Sequence, residues 1–276
     1  MNKTSKSNRN RNRVVWLVSL AIVLGAIFII VHKGKEKSNT PSSSTQQTVK
    51  NAELEADQPK KGTIKEFTGM EFRELYDSFA YPNSQDISET TGITGDVGAD
   101  RQIRKIAEER GYKKRSAPVS DTFVDVGKGM LLQERASKPW FDLKAAAAKD
   151  GYNLSLTAAY RSAEEQKQLF LSRLGGLSLV GIANGQLNAQ VSNILRTTSI
   201  PGYSRHHTGY TIDTACDNDP AVTFEQSSCF RWLSQNNYLR AKEHGWIPSY
   251  PDGAGKQGPD PESWEYVWVG KEPLTE

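Results

Sequence analysis

The chain has 276 residues, a formal net charge of +3 and 37% hydrophobic residues, with six Trp among them. That composition excludes a wholly disordered chain. Part of the positive charge sits in Lys3, Lys6, Arg9, Arg11 and Arg13, and no basic stripe interleaved with aromatics follows, so a nucleic-acid partner is not expected.

Residues 1–13 read as a basic leader. Residues 14–31, VVWLVSLAIVLGAIFIIV, carry no charge and as a helix would span roughly 27 Å, close to the thickness of a hydrocarbon core. A cleaved signal would have a shorter apolar region and a small-residue cleavage site. This run ends instead in His32-Lys33-Gly34-Lys35. A single transmembrane anchor over 14–32 is the expectation, with the leader in the cytoplasm and the rest of the chain on the extracytoplasmic side of the cell membrane. Residues 33–65 are rich in Ser, Thr, Gln, Lys and Glu and read as a flexible linker, since they hold too little apolar surface to offset their ordering entropy.

Order is expected to return near Phe67. Over 66–125 a helical extension is predicted, with Phe72, Leu75 and Phe79 on one face of a first helix and Ile103 and Ile106 on a second that stops at Gly111. Over 126–272 a second unit is predicted. Trp140 to Ala148 belong to a helix ending at Gly151, and Leu154 to Ala159 form a short strand. Ser162 is placed to cap a helix from Ala163 to about Leu174. Tyr210 to Asp213 read as a strand, Phe230 to Gly245 as a helix and Trp264 to Val269 as an aromatic, β-branched strand. The fold class is α+β, a small antiparallel sheet with flanking helices, preceded by the transmembrane helix and the linker.

Cys216 and Cys229 are the only cysteines and bracket a polar loop. Outside the membrane they would form a disulfide worth about 3 kcal/mol in the loop-entropy model; two buried thiols are the alternative. No C-x-x-C spacing exists, so a zinc site built on them is not expected.

Three clusters carry chemistry-bearing residue types. Ser204 to Asp213, SRHHTGYTID, sets His206 and Asp213 seven apart across a Gly turn, and imidazole and carboxylate both suit Zn²⁺. A surface His-His pair is as often a solvated turn. Glu262-Ser263-Trp264-Glu265 offers one carboxylate for a metal and one to deprotonate water, or merely two solvated charges on an edge strand. Tyr160-Arg161-Ser162, followed by Gln166, puts a guanidinium fork at a strand-to-helix junction, where it could clamp a carboxylate or form an ordinary ion pair.

Taken together, order and spacing resemble the VanY-type D-Ala-D-Ala carboxypeptidases, zinc metallopeptidases related to D-Ala-D-Ala dipeptidases and the hedgehog signalling domain. The match runs through Tyr160-Arg161-Ser162 with Gln166, then Ser204, His206, Gly209 and Asp213, then Trp232-Leu233, Gly245-Trp246-Ile247 and Tyr250-Pro251, and ends at Glu262-Ser263-Trp264-Glu265. It covers roughly residues 67–270. The resemblance implies a metal held by His206 and Asp213, Glu262 as general base, Arg161 on the substrate's terminal carboxylate, and Ser204, Gln166, Tyr160 and Trp264 around the substrate. The implied activity is removal of the terminal D-Ala from a peptidoglycan stem peptide ending in D-Ala-D-Ala, by a monomer. A non-catalytic peptidoglycan-binding relative and an L,D-carboxypeptidase or endopeptidase of the same fold are the alternatives. One departure stands out: the family places His where this chain has Glu265. Glu265 would then bind Zn²⁺, or the harder Mn²⁺, through a carboxylate oxygen; or His207 or His244 supplies the imidazole; or the metal is lost.

Overall fold

The computed structural model describes residues 62–87, 92–120, 122–217 and 223–276. The expected leader, transmembrane anchor and most of the linker lie outside the described residues. Among the described residues no helix is long and apolar enough to cross a membrane. The end of the expected linker, 62–65, departs from the flexible reading. Ile64 bridges Thr275 in antiparallel fashion, the Lys65 amide donates to the Leu274 carbonyl, and the Glu276 amide donates to the Thr63 carbonyl. Backbone pairing replaces the apolar surface that this stretch lacks.

Helix α1 (Gly69–Ser78) starts at a reciprocal cap in which Thr68 and Glu71 exchange side-chain and backbone hydrogen bonds. It buries Phe72 and Tyr76. A two-stranded sheet follows from β1 (Ser84–Asp86) and β2 (Ser116–Pro118), separated by α2 (Val97–Glu109). Asp96 caps α2, and Ala99, Ile103, Ile106 and Ala107 share its buried face at helical spacing. A second small sheet pairs β3 (Phe123–Asp125) with β4 (Leu131–Gln133), which leads directly into α3 (Glu134–Lys149). Fully buried Trp140 anchors α3 against the main sheet.

That main sheet has four strands in the order β5 (Leu154–Ala158), β6 (Thr211–Cys216), β8 (Glu265–Trp268), β7 (Trp246–Pro248), all antiparallel. Between β5 and β6 the chain forms α4 (Ala163–Leu174), capped by Ser162 as the sequence predicts, with Glu165 bonding back to the cap, then the short α5 (Leu179–Ala183) and α6 (Asn188–Ile194). Helix α7 (Ser228–Lys242) is not the continuous helix expected. Asn236, Asn237 and Tyr238 take left-handed backbone angles inside it. Asn tolerates that region better than most residues, and the break turns Asn237 onto the chain at Phe67. Its Oδ1 accepts from the Phe67 amide at 2.9 Å and its Nδ2 donates to the Phe67 carbonyl at 2.7 Å.

Two apolar cores result. One joins α1, α3, α7 and the main sheet; the other joins α2, α4, α5 and α6 around Ile103, Phe170 and Ile182. Residues 66–125 thus contribute Phe72 and Tyr76 to the same core as the sheet. Cys216 at the end of β6 is disulfide-bonded to Cys229 at the start of α7. The small antiparallel sheet with flanking helices agrees with the α+β expectation.

Candidate metal centre

Antiparallel pairing of β6 with β8 sets Asp213 directly opposite Glu265. Two carboxylates facing each other across neighbouring strands repel, by a few tenths to about 1 kcal/mol in exposed sheets. Glu265 is buried here, which makes an uncompensated pair worse. The third member comes from the tight turn before β6. Residues Arg205–Thr208 form a single 3₁₀ turn, closed by Gly209 at φ 74°. A Cβ on Gly209 would lie 3.0 Å from Gln133 and Phe123, so only Gly both permits the left-handed turn and clears β3 and β4. The turn points His206 back at the strand pair. Its Nε2 lies 3.5 Å from Asp213 Oδ2 and 3.6 Å from Glu265 Oε2.

His206 Nδ1 is 2.7 Å from the carbonyl of Ala159, just past the end of β5. With its proton on Nδ1 it donates there, leaving the Nε2 lone pair aimed between the two carboxylates. Burial pulls the imidazole's pKa down, but Asp213 and then Glu265 outweigh it and hold it above the ordinary value. Asp213 Oδ1 and Glu265 Oε1 are buried without a hydrogen bond. One nitrogen and two carboxylate groups within 4.8 Å of one another, with Asp213 Oδ1 buried and unsatisfied, fit a divalent cation.

These residues share a cavity of about 150 Å³ with Arg161, Ser204 and Glu262. Glu262 sits one turn before β8, its carbonyl accepting from the Glu265 amide. Burial first, then the neighbouring Glu265 and Asp213 carboxylates, push its pKa up to about 9, with Arg205 opposing. A divalent cation beside it would offset those carboxylates and lower that value, freeing the Glu262 carboxylate to accept a proton.

Arg161 is set at the junction of β5 and α4. Its amide donates to the His206 carbonyl, and its own carbonyl lies 2.7 Å from His207 Nδ1. Its Nη1 donates to Gln166 Oε1 at 2.9 Å, and Gln166 Nε2 donates to the Ser199 carbonyl at 2.6 Å. Gln166 is fully buried, so it orients Arg161 and does not itself reach a substrate. Tyr160 turns away from this cavity and packs on Phe123, with ring centroids 4.3 Å apart. Trp264 is 37% exposed; its carbonyl accepts from the Thr214 amide and hydroxyl, and its ring is not part of the cavity wall.

Neither alternative histidine joins the centre. His207 is fully buried, with Nε2 accepting from the Gly202 amide at 3.0 Å and Nδ1 against the Arg161 carbonyl, so both nitrogens are engaged. Burial pushes its pKa down to about 4. His244 lies after α7 among Lys271, Glu243 and Asp142. Among the described residues the only group of three or more potential ligands is His206, Asp213 and Glu265.

Sequence reasoning gave no site role to Arg205, Gln257, Tyr203, Tyr112 and Arg173, nor to the motif residue Tyr250, all of which also line the cavity. Arg205 lies inside the Ser204 to Asp213 motif, and its adjacency to matched residues was the available signal.

No curated protein matches the chain. Among solved structures, it is 27% identical to a mutant of the vancomycin-resistance D,D-pentapeptidase VanY from the VanB-type resistance cassette in complex with Zn(II), covering 54% of this chain and 79% of that one at a TM-score of 0.43. It is 26% identical to VanYB in complex with D-alanine-D-alanine, covering 57% and 84% at a TM-score of 0.44. The LD-carboxypeptidase LdcB is 21% identical, covering 52% and 62% at a TM-score of 0.42. The family described as VanY, D-alanyl-D-alanine carboxypeptidase, matches residues 129–271, just over half of the chain and all of the segment that bears the centre. The chain belongs to the VanY family of D-alanyl-D-alanine carboxypeptidases.

Proposed function

We propose that this protein is a zinc-dependent carboxypeptidase that removes the terminal D-Ala from peptidoglycan stem peptides ending in D-Ala-D-Ala. The observation that carries the reading is the convergence of His206, Asp213 and Glu265 in one cavity with a further carboxylate, Glu262, and a positioned guanidinium, Arg161. His206, Asp213 and Glu265 would hold the ion. Bound there, zinc supplies Lewis acidity to the scissile carbonyl and makes water a stronger acid.

The chain's own groups do the rest. Arg161, fixed by Gln166, binds the substrate's terminal carboxylate through its remaining donors. That sets the last peptide bond over the centre and favours an exopeptidase over an endopeptidase, which has no carboxylate to offer there. Glu262 takes a proton from the attacking water and delivers it to the departing D-Ala amine. Ser204, buried at the start of the 3₁₀ turn, forms part of the wall. With residues 14–32 as an anchor, the reaction would take place on the extracytoplasmic face of the cell membrane, where the polymer is.

The test is release of D-Ala from a stem pentapeptide by zinc-loaded protein. Glu262→Gln is expected to lower kcat by about 10²–10⁴-fold while leaving zinc affinity within a few-fold. Wild-type turnover no higher than that of Glu262→Gln would reduce the protein to a peptide-binding module.

A further inference from the structure

We infer that Arg205 is a positioning residue for the metal centre, the built-in countercharge that lets a carboxylate at 265 serve as third ligand, so that positions 205 and 265 work only as a pair. The inference rests on the metal-centre reading above.

Arg205 is 4% exposed, yet it carries a full charge. Its guanidinium lies between two aromatic rings, with Cζ 4.5 Å from the Tyr76 centroid and 3.9 Å from the Tyr250 centroid. Nη1 donates to the Ser249 carbonyl at 2.5 Å and Nη2 to Gln257 Oε1 at 3.0 Å. The charge itself is met by Glu265, whose Oε1 stands 3.5 Å from Nη1. Four separate segments of the chain therefore converge to fix this cation. Only one of them brings an anion, and a guanidinium buried among neutral acceptors alone is strongly unfavourable.

The two oxygens of Glu265 are consequently divided. Oε1 faces Arg205 and Oε2 faces His206 Nε2, 3.6 Å away. The ion pair fixes the carboxylate's rotation and leaves one oxygen for the centre. Imidazole at position 265 with Arg205 retained would leave a buried guanidinium without its anionic partner. Removing Arg205 alone would free Glu265 Oε1 and release the carboxylate's rotation.

The test uses full-length protein and four variants: Arg205→Met, Glu265→His, the double variant, and Arg205→Lys. Zinc affinity is read by chelator competition, and ligand geometry by the visible spectrum of the Co²⁺-loaded protein. Each of the first two single variants is expected to lose at least about tenfold in zinc affinity, which is ~1.4 kcal/mol. The double variant is expected to recover to within a few-fold of wild type, with a cobalt spectrum shifted by the extra nitrogen ligand. Arg205→Lys, which keeps the charge, is expected to keep the wild-type spectrum. A single variant that fails to fold while the double folds supports the pairing. Additive losses, or Glu265→His binding zinc as tightly as wild type with Arg205 in place, overturn it. So does a folded Arg205→Lys that no longer takes up metal. Wild-type protein that binds neither zinc nor cobalt overturns the metal-centre reading and the pairing together.

Discussion

Loading the centre should stabilise the fold, because the register of β6 and β8 sets two of its carboxylates against each other. Asp213 and Glu265 oppose each other across the sheet, with Glu262 in the same cavity. The metal-free protein therefore holds a like-charge repulsion that a divalent cation converts into attraction. Ligand present at about 100 times its Kd stabilises the native state by roughly 2.7 kcal/mol. For a domain of roughly 200 residues, each kcal/mol moves the midpoint by about 2–4 °C, so zinc should raise Tm by about 5–11 °C over chelator-treated protein. Asp213→Asn separates ligation from general salt effects. It removes both the cross-strand repulsion and the carboxylate's attraction for His206, so its metal-free form should lie within about 1 kcal/mol of wild type. Its zinc-induced shift should vanish. Differential scanning calorimetry of the two proteins, each with chelator and with zinc, gives the four midpoints needed. A zinc shift in Asp213→Asn equal to that of wild type would refute the reasoning, as would a metal-free variant destabilised by several kcal/mol.

Two further predictions lie away from the cavity. Replacing Cys216 and Cys229 by Ser opens the link between the end of β6 and the start of α7 and should lower unfolding free energy by about 3 kcal/mol in urea titrations; a loss below about 1 kcal/mol would contradict the loop-entropy account. Lys242 is 2% exposed, and burial lowers its pKa from 10.5 to about 8 against a weaker opposing pull from Glu66. Because its folded pKa lies below its unfolded one, the unfolded chain binds more protons between those values, and stability rises with pH from about 8 toward 10.5. Urea midpoints measured from pH 7.5 to 9.5 should climb more steeply for wild type than for Lys242→Met, and equal slopes would exclude Lys242 as the cause.

Helices α1 and α2 were legible from the spacing of Phe72 and Leu75 and of Ile103 and Ile106, and α4 from its cap at Ser162. Strand β7 was not. It has three residues, one of them Pro248, and all three are buried, so no alternation marks it. Helices α5 and α6 are too short to show a period. In α7 the spacing of Trp232, Leu233 and Leu239 reads straight through the break, because the reason for it, the chain at Phe67, lies far away in sequence. The same contrast runs through the site. His206, Asp213, Glu262 and Glu265 stood out by motif, whereas spacing alone left them as solvated charges. Arg205 carried no signal of its own in the sequence, and only Tyr76 from α1, Tyr250 and Glu265 reveal that it is enclosed.

The pairing of residues 62–65 with 274–276 has a mechanical consequence. Tension arriving along the chain ahead of Gly62 first meets the antiparallel contact at Ile64 and Thr275, then the clasp of Asn237 on Phe67. Neither element belongs to the strands that carry Asp213 and Glu265. A pull on that end would load this seam before it reached the two strands that bear the centre.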